Sequence, residues 1–123
     1  MASHPCIVRS ADGTVLAHAN RSEQVIQLEG NWYFHPDCVN HAALEISKRT
    51  YLCPYKGTCL WIDMRVGDDY VNDVAWVYPA TLPGYRRIAG WYGFYPHAKG
   101  YTKTECDGTH PIPLPEGEGE SVR

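Results

Sequence analysis

The sequence predicts a small, mainly β single domain with one or two short helices. Three observations carry that expectation. Residues 58–66 alternate: Leu60, Ile62, Met64 and Val66 share one face, while Cys59, Trp61, Asp63 and Arg65 share the other, the two-residue period of a strand. The run returns across Gly67-Asp68-Asp69 into residues 70–78, where Val71, Ala75 and Val77 stand against Asn72, Val74, Trp76 and Tyr78. Nine tyrosines and four tryptophans accompany only two phenylalanines, a bias that suits pleated surfaces and half-wet hollows better than a sealed core. Both faces of this hairpin are mixed, so it is expected to separate a core from a cavity.

The other elements follow in chain order. Residues 6–9 read as a short strand, Ala11-Asp12-Gly13 as a turn, and residues 14–17 as a second strand. Residues 23–28 are β-prone, Gly30-Asn31 breaks them, and Trp32-Tyr33-Phe34 resumes a strand. His35-Pro36-Asp37 opens a short helix, because proline is tolerated in a first turn, and Val39, Ala42, Ala43 and Ile46 recur at helical spacing. Pro79, Pro83 and Gly84 end the hairpin, residues 85–89 make one helical turn, and residues 90–95 are aromatic and β-prone. The expected organisation is a loose start over residues 1–5, a domain over 6–97 and an extended Pro/Gly/Glu-rich tail over 98–123. Within that tail, residues 110–120 bury too little surface to offset chain entropy.

Composition excludes several function classes. The formal net charge is −3 and the pI about 6.0, which disfavours a phosphate-backbone partner. No apolar run approaches the ~20 residues that span a bilayer, and no signal peptide is evident. Five irregularly spaced cysteines point to free thiols in a reducing, cytoplasmic setting.

The densest chemistry lies at Cys53-Pro54-Tyr55-Lys56-Gly57-Thr58. An ammonium near a thiol favours the reactive thiolate. Pro54 restricts the residue before it, and Gly57 allows main chain to approach a ligand closely. Lys56 and Cys53 are therefore expected as catalytic groups, with Glu29 and Glu45 as proton carriers. Asp37, His35 and His41 stand nearby in sequence. Trp32, Tyr33, Tyr55, Trp61, Trp76 and Tyr78 are expected to wall the ligand site, Trp91 and Tyr92 belong to the same aromatic inventory, and Arg65 would anchor a carboxylate unless Asp63 takes it. The spacing His35-x2-Cys38-x2-His41 raises the question of zinc, but paired C-x2-C knuckles are absent, and no metal is expected. A Cys53–Cys59 bridge would need a bend between them.

In order along the chain, Gly30-Asn31-Trp32-Tyr33-Phe34-His35-Pro36-Asp37-Cys38-Val39, then Cys53-Pro54-Tyr55-Lys56-Gly57-Thr58, then Ala75-Trp76-Val77-Tyr78-Pro79, then Ile88-Ala89-Gly90-Trp91-Tyr92-Gly93-Phe94-Tyr95 resemble the DUF427 family. The resemblance covers roughly residues 6–95. It implies a compact β-tent, Mss4-like domain with a cavity between its sheets, and it implies no activity. Where the family commonly carries an acid, two positions after Pro36, this chain has Cys38, with Asp37 next to it.

Two functions follow as expectations. The first is a small cytoplasmic enzyme acting on a small metabolite in an aromatic-lined pocket, by acid/base or thiol-assisted isomerisation, cyclisation or a similar step, without a cofactor. The second is a non-catalytic module whose aromatic cage binds a small ligand or a modified peptide. The expected partner is a small molecule, not nucleic acid or a membrane, and a homodimer is left open.

Overall fold

The computed structural model describes residues 6–106. Its strands are β1 (Cys6–Ser10), β2 (Val15–Ala19), β3 (Val25–Leu28), β4 (Asn31–Phe34), β5 (Leu44–Cys53), β6 (Gly57–Val66), β7 (Asp69–Val77), β8 (Tyr92–Phe94) and β9 (Thr102–Cys106). They form two antiparallel sheets, ordered β2-β1-β9 and β3-β4-β8-β7-β6-β5. Short 3-10 turns occupy Ser22–Gln24, Pro36–Cys38 and Pro83–Ile88. The mainly β expectation is met, and the alternating hairpin is β6 and β7, turning at Gly67-Asp68 with Val66 opposite Asp69.

Alternation sorts the side chains of the larger sheet into two layers. Phe34, Ile62, Met64, Ala75, Val77, Tyr92 and Phe94 face the smaller sheet and pack with Cys6, Val8, Leu16 and Ala17. Each large apolar side chain sealed there contributes about 1.5–3 kcal/mol. Tyr33, Cys59, Trp76 and Tyr78 face the other way, under the Pro83–Ile88 turn, whose Ile88 closes a second cluster. The space between the sheets is therefore filled. The hollow expected there lies on the opposite face of the larger sheet, because that face carries the half-polar rings.

Three other expectations are corrected. The helix from His35 is only the 3-10 turn Pro36–Cys38, and Leu44–Cys53 is a strand paired with β6. Its apparent helical ridge does not form one face: Val39 bridges to Ala17, while Ile46 is exposed. The domain does not end at residue 97, since β9 pairs with β1 along its whole length, from Cys6 opposite Cys106 to Ser10 opposite Thr102. That register also joins Cys6 and Cys106 in a disulfide, so only Cys38, Cys53 and Cys59 are free. The stretch 110–120 lies outside the described residues.

Two irregularities flank β6. Ser47, Lys48 and Arg49 of β5 stand opposite Trp61 alone, and Asn72, Asp73 and Val74 of β7 stand opposite Asp63 alone. Such bulges bend a sheet and re-aim side chains. Arg49 crosses the three strands, binding both Asp63 and Asp73, while Ser47 Oγ donates to the Trp61 carbonyl at 2.8 Å.

The turn between β5 and β6 is tied down from outside. The Leu82 N–H donates to the Lys56 carbonyl at 2.9 Å. Gly57 has φ 116°, and a Cβ there would lie 3.3 Å from the Ala80 carbonyl oxygen. The close approach that glycine permits is thus to this chain's own backbone, not to a ligand. Gly57→Ala is expected to cost about 1–2 kcal/mol, read as a lower urea midpoint with an unchanged m-value.

Candidate functional site

One row of residues crosses the outer face of the larger sheet. Ile26 pairs with Tyr33, Tyr33 with Gly93, Gly93 with Trp76, and Trp76 with Trp61. Gly93 is the gap in that row. A Cβ on it would sit 2.5 Å from the Trp76 ring, so the indole lies flat over the glycine and its Nε1–H reaches the Tyr33 hydroxyl at 3.2 Å. Tyr33, Trp61 and Tyr95 surround the indole with ring centroids at 5.9, 6.1 and 4.7 Å. These rings wall an open cavity of about 340 Å³, which Glu29, Asn31, Tyr51, Lys56, Cys59 and Tyr78 complete. Its size is that of a small-molecule site.

Two charged groups meet at this cavity from distant parts of the chain. Lys56 ends the Pro54-Tyr55-Lys56 turn, and Glu29 occupies the two-residue turn between β3 and β4. Lys56 Nζ lies 2.5 Å from Glu29 Oε1. The lysine side chain is only 11% exposed and the glutamate 33%. Tyr85 adds its ring beneath the ammonium, 5.0 Å away, and its hydroxyl donates to Glu29 Oε2 at 3.4 Å. Glu29 has φ 55° and Gly30 φ 84°, the pairing a type I′ hairpin turn requires. Asparagine or glycine would take the first position with less strain. A glutamate held there at a conformational cost of about 1 kcal/mol or more is the kind of outlier that gathers at functional sites.

Of the expected site residues, Lys56, Glu29, Tyr33, Trp61, Trp76 and Tyr78 line this one cavity. The others do not. Cys53 is buried and lines a separate hollow with Pro54, Gly57 and Leu82; the ammonium that was to activate it is paired with Glu29. Glu45 and Arg65 form an exposed ion pair with each other at 2.9 Å, with the guanidinium over the Tyr70 ring. Asp63, the partner weighed for Arg65, belongs to Arg49 instead. Tyr55 is 71% exposed at the tip of its turn. Trp32 has the parity of Phe34 and packs on the inter-sheet core. His35 and His41 face elsewhere: His35 Nδ1 accepts from the Asp37 N–H, the His35 ring meets Trp91 edge-on, and His41 Nε2 meets the Pro36 carbonyl. Among the described residues, no group of three or more His, Cys, Asp or Glu is placed to hold a metal ion.

Sequence reading missed Asn31, Tyr51, Cys59, Tyr85 and Tyr95 as site residues. Tyr95 carried a usable signal, since it shares the strand parity of Gly93 and hence the face of Trp76. Cys59 carried one too, as it shares a face with Trp61.

Burial governs the electrostatics of the wall. It pushes the Tyr33 and Tyr78 hydroxyls well above the ordinary tyrosine range, more than the Trp76 hydrogen bond lowers Tyr33. Both stay neutral donors at physiological pH. Burial also raises the Cys59 thiol, although Tyr78 bonds to it and to Cys53, so Cys59 is a poor nucleophile near neutrality. Above about pH 10 an unfolded tyrosine loses its proton while folded Tyr33 keeps it. Stability should therefore hold below about pH 9 and fall above pH 10, by up to ~1.4 kcal/mol per pH unit from Tyr33. Urea midpoints taken from pH 8 to 11 test this, and Tyr33→Phe should flatten the decline.

A family model described as a domain of unknown function (DUF427) matches residues 2–106. No curated protein matches the chain. Among the described residues, no helix is long and apolar enough to cross a membrane.

Proposed function

Starting from the fact that this chain belongs to the DUF427 family, whose description carries no activity, we propose that it is a small acid–base enzyme that enolises a carbonyl metabolite in its aromatic cavity. The reading rests on one observation, the Lys56–Glu29 pair at 2.5 Å on the wall of a ring-lined hollow. Glu29 takes a proton from the carbon beside the carbonyl. The C–H electron pair moves into the new C=C bond, and the carbonyl π pair moves onto oxygen. Lys56 donates a hydrogen bond to that developing oxyanion, and the neutral Tyr33 and Tyr78 hydroxyls lie on the same wall as further donors. Return of the proton to a different carbon gives isomerisation, and closure of the enolate on an internal electrophile gives cyclisation. The rings hold the planar enolate by stacking.

No cofactor enters this scheme. The thiol-assisted variant is dropped, since Cys53 lies off the cavity and the Cys59 thiol is held neutral. The partner is a small molecule. A reducing, cytoplasmic setting suits the three free thiols, whereas the Cys6–Cys106 bridge draws the other way.

The test is hydrogen–deuterium exchange at the activated carbon of phenylpyruvate in D2O, followed by proton NMR. The chain should accelerate exchange above the buffer rate. Glu29→Gln and Lys56→Met should each lower that acceleration by roughly 10²-fold or more, while tryptophan quenching by the probe persists. Quenching without exchange in the unaltered chain would instead assign the cage to binding alone. Exchange that survives both substitutions would remove the pair from the chemistry.

A further inference from the structure

A second hollow adjoins the first. Its volume is about 620 Å³, and Trp61 and Tyr95 wall both. Beyond those two rings its lining is half apolar or aromatic, with Val71, Val74, Ala98 and Tyr101, and half polar, with Asn72, Asp73, His97 and Lys99 at its exposed edge. The strand irregularities explain its existence. Asn72, Asp73 and Val74 stand opposite Asp63 alone, with Asn72 and Asp73 exposed and Val74 buried, and such a bulge bends its strand. The segment between β8 and β9 then lies across the gap, with the Ala98 N–H donating to the Thr102 carbonyl and the Tyr101 N–H to the Ala98 carbonyl.

We infer that the two hollows form one two-compartment cleft, and that the ligand is elongated: a compact polar carbonyl head in the inner compartment and a flat apolar tail in the outer one. The inference rests on the acid–base reading of the inner compartment for the identity of the head. The inner hollow places a cation, a carboxylate and four tyrosines around a small volume, so it suits a head rich in oxygen. The outer hollow is larger, and its charged and amide groups stand at the edge, so burying an apolar group there desolvates little that is polar. Trp61 and Tyr95 face both volumes and would stack on the junction between head and tail. Asp73 faces the outer hollow as well, but Arg49 neutralises it, so the compartment offers no unpaired carboxylate to an incoming tail.

The test compares two probes with the same head: phenylpyruvate, and its analogue with a second phenyl ring in the para position. Binding is read by tryptophan quenching. The longer probe should bind at least about tenfold more tightly, from the apolar area of its outer ring. Ala98→Trp and Asn72→Trp fill the outer compartment from opposite sides. Each should abolish that advantage and leave the affinity for phenylpyruvate within about twofold. Circular dichroism melts of both variants verify folding, and Asn72 is exposed at the rim of the compartment. Equal binding of the two probes overturns the inference, as does an advantage that survives both substitutions, or no binding of either. The two readings fail separately. The expected binding pattern without proton exchange leaves the cleft standing and removes the enzyme. Exchange with phenylpyruvate and no advantage for the longer probe does the reverse.

Discussion

Gly93→Ala should destabilise the fold by about 3 kcal/mol and deform the cavity at the same time. The new methyl would fall 2.5 Å from Cε2 and Nε1 of Trp76 and 2.9 Å from Cζ2, well inside contact distance. An indole with free space could retreat at small cost. This one is enclosed by Tyr33, Trp61 and Tyr95, and Gly93 is itself pinned between Tyr33 and Trp76 in the sheet. The ring would have to rise into the hollow, and the Trp76 Nε1–H would leave the Tyr33 hydroxyl. Overpacking a filled site costs about 1–3 kcal/mol, and a buried hydroxyl left without its partner adds about 1–3 kcal/mol. Urea denaturation should show the loss, and probe binding should weaken with it. Trp76→Phe supplies the control, because a single ring leaves room for the methyl. The double variant should be more stable than the sum of the two single losses predicts. Strict additivity would mean that glycine and indole do not meet as described.

Asp63→Ala should cost about 2–4 kcal/mol, corresponding to a melting temperature lower by roughly 10–20 °C for a domain of this size. Asp63 is only 1% exposed, and its carboxylate holds the bent centre of the larger sheet together. It accepts from the Asp73 N–H at 2.9 Å, from the Tyr70 hydroxyl at 2.9 Å, and from Arg49. The Asp73 N–H sits in a left-handed residue with φ 60°, where the β7 bulge has removed its ladder partner. Without the carboxylate that donor is orphaned, and Arg49 keeps only Asp73. Asp63→Asn preserves shape and some acceptor capacity, so its loss should be smaller. Equal stability of the alanine variant and the parent would show that the bulge needs no such anchor.

The hairpin of β6 and β7 was legible because its alternation runs for nine residues and its turn is only two residues long. Trp76 and Tyr78 could be placed on one face from parity alone, whereas the register of β6 with β7 puts Trp61 opposite Trp76. Lys56 was found because a proline, a lysine and a glycine together mark a turn at a strand end. The segment 39–46 was misread because four apolar residues at helical spacing also fit a bridge, a loop and a strand start; pairing with β6 decided among them. Cys53 and Lys56 looked like partners because they are neighbours in sequence, but Cys53 is buried in the cluster of Tyr33 and Tyr78 while Lys56 pairs with Glu29. The match of β9 to β1 was invisible for a different reason: closing it requires a contact between residues a hundred positions apart, and no local preference reports that.

The chain's own letters determined the strand period, the surplus of rings with polar tips and the identity of the charged turn residues. Each is a property of a few consecutive residues, whose backbone preferences and side-chain volumes act locally. Tertiary structure decided which side of the larger sheet stays hollow, and that Glu29 meets Lys56 across twenty-seven positions. It also decided that a bare glycine leaves space for an indole to lie across the strands. These follow from register and layering, where side chains distant in sequence compete for one volume, and that competition is settled only once the sheets are formed.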